Sequence, residues 1–297
     1  MAVGFPTPGF GINIHTRMRP DADLVAEALH AEQLGFDLVT LHGDVLHTTA
    51  PSYETWTLLT WVAARTARIR LAPLVLALPN RHPAVLAKMA ETLQRLSVGR
   101  LVLTLGSGAT MNEPAFRAFG LAQRSPQEKV AALEEAVDML RGLWSSSSFS
   151  YAGQHFQTEG ATLEPKPSHL IPIWLGVFGD RMIELVGRKA DGWIPTYQFL
   201  APEQAYEKLE RIRKVAEDAG RKADEITYAY NVPVLVDEGS STSRSQIAGS
   251  AEAVARQLAD LVRHGFTVLN LWPGGVAEIQ REVLAKEVLP AIHELLV

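Results

Sequence analysis

A chain of 297 residues with 47% apolar side chains can bury a sizeable core, in one large domain or two small ones. Its net charge of -5, with both signs mixed and no basic block, excludes an ordinary nucleic-acid surface, and its apolar runs fall far short of membrane-spanning length. The absence of cysteine excludes disulfides and thiolate chemistry, and the nine histidines show neither an HExxH motif nor a metal-spaced cluster. No cationic start precedes an apolar run at the N-terminus, so a cytoplasmic protein with a small-molecule substrate and no nucleic-acid or membrane partner is expected.

Residues 10–14 read as a first strand. Pro20 stands at a helix start with Asp21 and Asp23 in the first turn, where acidic groups suit the helix dipole. Leu24, Ala28, Ala31 and Leu34 form the apolar stripe of that helix, and Gly35 ends it. A second strand over 37–41 runs into His42-Gly43-Asp44, and a loop with His47 and Pro51 leads to a helix over 53–66. The third strand, 69–78, contains Pro73, and a proline inside a buried strand signals a bulge or special backbone. Pro83 opens a helix that runs to residue 96.

The central stretch is 98–113. Its apolar run, 101–105, does not alternate and so reads as a strand buried on both faces. It stops at Gly106-Ser107-Gly108, which either lets backbone approach a ligand or makes a plain strand-to-loop turn. A helix over 127–144 follows. Residues 145–170 then break the rhythm with a polar serine linker, a small hairpin over 149–163 turning at Gly153, and a proline-stiffened approach to the fifth strand, 173–175. Gly176 to Gly179 close that strand ahead of a helix over 180–189. A very short strand at 193–194, a helix over 202–219, a strand over 226–236, a polar and mobile segment over 237–249, a helix over 251–263, a strand over 266–271 and a helix over 279–296 complete the chain.

Eight strands, each followed by a helix, fit an α/β chain folded as a single (β/α)8 TIM barrel over 1–297, with a hairpin excursion on the rim between the fourth and fifth strands. Two open sheets would need a linker near 145–170, a segment too short and occupied by its own hairpin.

Barrel sites lie at the C-terminal ends of the strands. Those ends supply Asn13 and His15, then His42, Asp44 and His47, then Asn80, Arg81 and His82. Later strands add Ser107, Asn112 and Glu113, the 176–179 glycine loop, Thr196 with Tyr197, and Trp272. The rim is glycine-rich, aromatic and sparsely charged, whereas a sugar phosphate calls for a cluster of Lys or Arg. It suits a planar cofactor lying on backbone, with a phosphate gripped at a helix start by Gly176 to Gly179. A tight strand-to-helix turn is the alternative reading of that loop.

The sequence resembles the bacterial-luciferase-like flavin and deazaflavin oxidoreductases, most closely the branch that uses coenzyme F420. The matching pieces, in order, are Ala31-Glu-Gln-Leu-Gly-Phe-Asp37, His82-Pro-Ala-Val-Leu-Ala87, Leu96-Ser-Val-Gly-Arg100, Leu105-Gly-Ser-Gly108, Met111-Asn-Glu113, Pro172-Ile-Trp-Leu-Gly176 and Gly187-Arg-Lys-Ala-Asp-Gly-Trp193. The resemblance implies a (β/α)8 barrel, a homodimer, and a flavin-like ring over a bulge in the third strand. It also implies a cis non-proline peptide at Pro73–Leu74, with both residues seating the ring. Ser107 and Gly108 would contact the ring. Gly176, Val177, Phe178 and Gly179 would contact the ribityl-phosphate side, with Thr196 near the same phosphate.

Two departures bear on the chemistry. Many deazaflavin-using relatives carry Asp-His after the second strand, where this chain has Gly43-Asp44. The sugar-phosphate dehydrogenases carry an acid after the strand-four glycine pair, where this chain has Ala109, so oxidation of glucose 6-phosphate is not expected. His42, Asp44 and His47 are the nearest acid–base candidates, since histidine titrates in the right range. His42 could equally be a structural hydrogen-bonding residue, and His15 and Glu113 are similarly ambiguous. The reading is hydride transfer between the deazaflavin and a small, mostly apolar organic substrate, the cofactor doing the hard chemistry and the protein orienting it. Trp56, Trp61 and Phe178 are candidate pocket walls, although the two tryptophans could be core. Trp174 is expected in strand packing, and residues 149–163 and 237–249 are lid candidates. An FMN-dependent monooxygenase on the same fold is the nearest alternative, and a non-catalytic flavin-binding or interaction protein is an alternative of another class.

Overall fold

The computed structural model describes residues 5–19, 22–42 and 51–297. The first half runs β1 (Gly9–His15), α1 (Leu24–Gln33), β2 (Leu38–His42), α2 (Thr55–Arg65), β3 (Arg70–Leu74), β4 (Leu76–Ala77), α3 (Pro83–Leu96), β5 (Leu103–Gly106), α4 (Glu113–Ala118) and α5 (Pro126–Ser145). The second half runs β6 (Phe149–Ala152), β7 (Gln157–Ala161), β8 (Ile173–Leu175), α6 (Asp180–Lys189), β9 (Gly192–Trp193), α7 (Pro202–Asp218), β10 (Thr227–Val236), β11 (Ile247–Gly249), α8 (Ala251–Arg263), β12 (Val268–Pro273), α9 (Ala277–Val283) and α10 (Leu289–Leu296). Among the described residues, no helix is long and apolar enough to cross a membrane.

The main sheet is parallel in the order β3-β2-β1-β12-β10-β9-β8-β5-β4, with β11 added beside β10. A parallel bridge between Leu71 of β3 and Leu101 draws the two ends together, so the sheet curls into the expected barrel with the helices outside. Sequence reading makes residues 69–78 one strand, but the structure divides them. β3 pairs with β2 through Leu74, β4 pairs with β5 from Leu76, and Val75 stands between the two ladders. Two further differences are local. Residues 237–249 hold the short strand β11, and a π-helical turn over Leu284–Val288 interrupts the last helix.

The barrel interior is layered. Leu38, Ala72, Val102, Trp174, Ala229 and Val268 form one buried apolar cluster. Phe5 closes its lower end, with its ring 5.5 Å from Trp174 and the Arg70 guanidinium 4.7 Å above it. Two residues further along four of these strands, the period of two brings Thr40, Thr104, Asn231 and Asn270 inward as a buried polar layer. Polarity therefore rises along the barrel axis toward the strands' C-terminal ends.

Outside the barrel, carboxylates and guanidinium groups tie backbone ends down. Glu32 of α1 accepts from the N–H groups of Ala67, Arg68 and Ile69 at 2.6–3.1 Å. Burial pushes its carboxyl up, but those backbone bonds outweigh it and the net direction is down. The hairpin of β6 and β7 is antiparallel and folds back along α5, where Glu135 accepts from the N–H groups of Gln154, His155 and Phe156. Gly142 makes this possible, because a Cβ there would lie 2.1 Å from the Phe149 ring. The hairpin thus lies along the helical shell, and its Phe156 ring meets His82 edge-on at 5.4 Å.

Arg100 is the densest of these ties. Its guanidinium donates to Ser97 O, Ile69 O, Ala63 O, Thr66 O and Thr66 Oγ1 at 2.7–3.0 Å, joining α2, β3 and the approach to β5. Arg100→Met is expected to lower unfolding free energy by about 2–4 kcal/mol in urea titrations, because several part-buried carbonyls lose their donor together. Arg100→Lys should recover only part of that loss, since an ammonium cannot span the same fork.

Candidate active site

At the C-terminal ends of the strands lies a cavity of about 380 Å³, within the size range of small-molecule sites. Its floor is the break between β3 and β4, with Leu74, Val75 and Ala77 facing it. The peptide between Leu74 and Val75 is cis. This corrects the expected Pro73–Leu74 position by one residue. Pro73 is still paired in register with Leu41, is buried, and does not line the cavity, whereas Leu74 does. Proline drew attention as the residue without an N–H, but the ladder actually breaks at Val75, which sequence reading missed.

Two glycines make room for that residue. A Cβ on Gly106 would lie 2.7 Å from Val75 Cγ2, and one on Gly176 would lie 2.7 Å from Val75 Cγ1. Leu105 and Leu175 are paired partners, so the two glycines sit side by side immediately beyond them. Ser107 and Gly108 continue the wall from β5. Gly108 has φ +90, a backbone that disfavours any side chain, and a Cβ would also press on Pro79 at 3.0 Å.

The opposite wall is Gly176 to Gly179, then Ile194 and Thr196 after β9. Gly179 is the N-cap of the ten-residue helix α6 and makes no side-chain capping bond. The first-turn N–H groups of α6 are therefore left without the usual side-chain acceptor. A Cβ on Gly179 would meet nothing within 4 Å, so this corner is open to a ligand. Phe178 and Phe199 stand at the outer edge with ring centroids 6.2 Å apart.

Across the mouth, His42 at the end of β2 packs against Trp272 of β12 with centroids 4.5 Å apart. His15 of β1 lies beside it at 5.0 Å, paired in register. The Arg17 N–H donates to His15 Nδ1 at 3.1 Å, which places the neutral ring's proton on Nε2. Asp44 and His47 lie outside the described residues. Among the described lining residues His42 is the only ionisable side chain, and no Lys, Arg, Asp or Glu faces the cavity.

The charged groups near the mouth have structural partners instead. Arg81 pairs with Glu54, which also caps α2 through the N–H groups of Trp56 and Thr57. Burial pushes the Glu54 carboxyl up, but the Thr57 hydroxyl, those N–H groups and Arg81 hold it below the usual carboxylate range. His82 caps α3 through Nδ1, and Glu113 pairs with Lys129 at 2.8 Å. Burial pushes the Tyr197 phenol up, and its hydroxyl faces Ser243 O at 3.4 Å. Trp56 is core at the edge of a groove between α2 and α3, and Trp61 is exposed on α2, so neither lines the mouth. Trp174 is buried in the barrel interior. None of residues 149–163 or 237–249 lines the cavity.

Comparison with known proteins gives a consistent result. Residues 7–268 match the family profile described as luciferase-like monooxygenase. An F420-dependent glucose-6-phosphate dehydrogenase of Nakamurella multipartita is 32% identical over 240 residues, which is 78% of this chain and 69% of that protein. A phthiodiolone/phenolphthiodiolone dimycocerosates ketoreductase of Mycobacterium bovis is 36% identical over 184 residues, 60% of this chain and 46% of that protein. Among solved structures, an F420-dependent secondary alcohol dehydrogenase in complex with an F420-acetone adduct superposes with a TM-score of 0.86 at 19% identity, covering 96% of this chain and 99% of that one. At that identity the likeness establishes the fold.

The seat of Val75 yields a direct test. Gly106→Ala should lower stability by about 1–3 kcal/mol, the usual cost of overpacking, and push Val75 into the cavity. Val75→Ala in the same chain should recover most of the loss, measured as a double-mutant cycle by denaturant titration. Gly179→Ala, with open space around it, should leave the unfolding midpoint nearly unchanged.

Proposed function

Because the chain belongs to the luciferase-like monooxygenase family, we propose that it is a cytoplasmic oxidoreductase, one luciferase-like domain over 1–297, that uses coenzyme F420 to transfer a hydride to or from a small organic substrate. The observation that carries this reading is a nearly uncharged, glycine-walled cavity at the barrel mouth, open at the uncapped start of α6. The relatives named as F420-dependent favour the deazaflavin over FMN.

The residues present fit such a group. Leu74, Val75 and Ala77 offer an apolar floor for a planar ring, and Ser107 and Gly108 offer backbone beside it. Val177, Phe178 and Gly179, with Thr196, offer N–H and hydroxyl donors where a phosphate would sit, and Gly176, whose own N–H is given to Leu105 O at 2.9 Å, keeps the wall beside them free of a side chain. When bound, the deazaflavin supplies a ring carbon that accepts or donates hydride. The protein's own part is to hold the substrate carbon over that floor, exclude water and handle one proton. In oxidation the substrate alcohol loses its C–H hydrogen as hydride and its O–H hydrogen as a proton. His42 takes that proton, and in reduction returns it to the carbonyl oxygen. Asp44 and His47, on the segment after β2, are the other candidates for the same role.

The walls also select the substrate. A phosphorylated sugar would bring two negative charges to a cavity whose described lining has no Lys or Arg, and the segment 43–50 adds none. Ala109, which lines the cavity, stands at the position where the resemblance to the sugar-phosphate dehydrogenases would place an acid. The substrate is therefore a small, uncharged alcohol or carbonyl compound.

The assembly is a homodimer through α2 and α3. Between these helices runs an apolar groove lined by Trp56, Val85, Met89, Leu93 and Leu96, with the single charge of Lys88. Trp61, Leu96 and Val98 on the same two helices and the turn after them are 61%, 76% and 76% exposed, apolar side chains that a partner surface would cover. A second copy covers it by presenting the same helix pair, as a two-fold contact requires.

Fluorescence titration should give F420 binding at least about tenfold tighter than FMN. Tighter FMN binding with oxygen consumption would move the protein to monooxygenase chemistry, and binding of neither would overturn the reading. In a screen with F420, secondary alcohols or ketones should turn over and glucose 6-phosphate should not. His42→Gln should then lower kcat by about 10²–10⁴-fold with little change in F420 affinity. In light scattering, the wild type should have the mass of two chains, and Trp61→Glu with Leu96→Glu should have that of one.

A further inference from the structure

The polar layer beneath the mouth is not needed to close the barrel. The layer below it, on the same strands, is apolar throughout, with Leu38, Val102, Ala229 and Val268 where the next layer has Thr40, Thr104, Asn231 and Asn270. Buried amides are costly unless every group is hydrogen-bonded, and four hydrophobic side chains would pack the same space. The layer is instead hydrogen-bonded from strand to strand, and the Thr40 hydroxyl donates to Asn270 Oδ1 at 3.2 Å. Asn13 Nδ2 donates to Thr40 Oγ1 at 2.8 Å, and Asn270 Nδ2 donates to Thr40 Oγ1 at 3.0 Å and to Asn231 Oδ1 at 2.8 Å. Asn231 Nδ2 in turn points at Thr196 Oγ1, 3.4 Å away. Gly11 is part of the same arrangement, since a Cβ there would lie 2.6 Å from Asn270 Oδ1.

The donor order has a consequence at the mouth. Asn231 Oδ1 is taken up by Asn270, so the group Asn231 turns to Thr196 is N–H, which can only donate. The Thr196 oxygen accepts on that side, and its own proton is left to point elsewhere. Thr196 lines the cavity, so that proton is available to an acceptor there. The backbone fixes the pair as well. Asn231 N donates to Pro195 O at 2.9 Å, and Tyr197 N donates to Asn231 O at 3.0 Å, so residues 195–197 are held on the strand that carries the amide.

We propose that Asn231 is a positioning residue that holds Thr196 as a hydrogen-bond donor toward the phosphate of the bound cofactor. This rests on the cofactor reading above and adds to it the group that orients its phosphate contact. The amide touches neither cofactor nor substrate and acts only through the threonine hydroxyl.

The test compares two ligands that differ at the phosphate, F420 and the deazariboflavin chromophore without its phosphate tail, by fluorescence titration of the full chain. Asn231→Leu should weaken F420 binding about five- to tenfold and leave the phosphate-free chromophore within about twofold. Thr196→Val should show the same split, Thr196→Ser should restore F420 affinity, and the Asn231→Leu/Thr196→Val double variant should lose no more than either single one. Should Asn231→Leu fail to fold, Asn231→Ser, which can still accept from Asn270, replaces it. Unchanged F420 affinity, or equal losses for both ligands, would overturn the positioning role. A wild type that binds neither F420 nor the chromophore would instead overturn the cofactor reading itself. If the protein holds FMN, the same comparison runs between FMN and riboflavin.

Discussion

The mouth of this barrel exists because one valine side chain fits a gap that two glycines leave. Leu76 and Ala77 of β4 pair with Leu105 and Gly106 of β5, and Leu105 pairs with Leu175 of β8, so three strands end within one residue of each other. Val75 lies over that edge with a methyl group toward each glycine. Any larger residue at position 106 or 176 would occupy the valine's place and lift it into the cavity. The floor is thus set by side-chain volume at three positions, and the loops above it rest on a rigid scaffold.

Charge is kept off this floor and spent on structure elsewhere. Glu32, Glu54, Glu135 and Asp191 each receive backbone N–H groups or a guanidinium, and Arg81, Lys129 and Arg141 are paired to carboxylates. Among the described residues, what remains around the cavity is glycine, aliphatic and aromatic surface with the neutral polar groups of Ser107, Asn112, Thr196 and Gln198 and one imidazole. Hydride transfer would suit such a place, because the transferred electron pair would go to the cofactor's ring and the protein need handle only one proton at one atom. A wall whose described residues include no Lys or Arg is also selective, since they offer an anionic substrate nothing to offset its desolvation.

Much of this was legible in the sequence, for identifiable reasons. The non-alternating apolar run 101–105 marked its strand, because a strand buried on both faces carries no period. Gly106, Gly108 and the 176–179 loop pointed to the mouth because they fall at the C-terminal ends of strands, where a plain turn was the alternative, and the structure lines the cavity with them. What was not legible depended on three-dimensional neighbours. Pro73 stood out while Val75 did not, since nothing in a valine announces that the ladder breaks there. The hairpin was visible, but not that Glu135 and the missing side chain of Gly142 would fold it along α5. Arg81, His82 and Glu113 sit at strand ends as active-site residues do, yet each serves a cap or an ion pair. Sequence distance along the rim does not reveal which side chains turn inward.

The interior follows an order that neither strand pattern nor motif displays. Phe5 and Arg70 close the bottom, the apolar layer that includes Trp174 lies above them, an amide and hydroxyl layer above that, and the nearly uncharged mouth on top. A buried polar layer resting on an apolar one is a costly place to put amides, and so a place where the direction of each donor matters. Two neighbouring strands, β10 and β12, carry Asn231 and Asn270 at paired positions, which lets one amide fix the other. The direction set deep in the barrel is thereby passed outward to a single hydroxyl at the cavity wall, where a loop residue alone would be free to rotate.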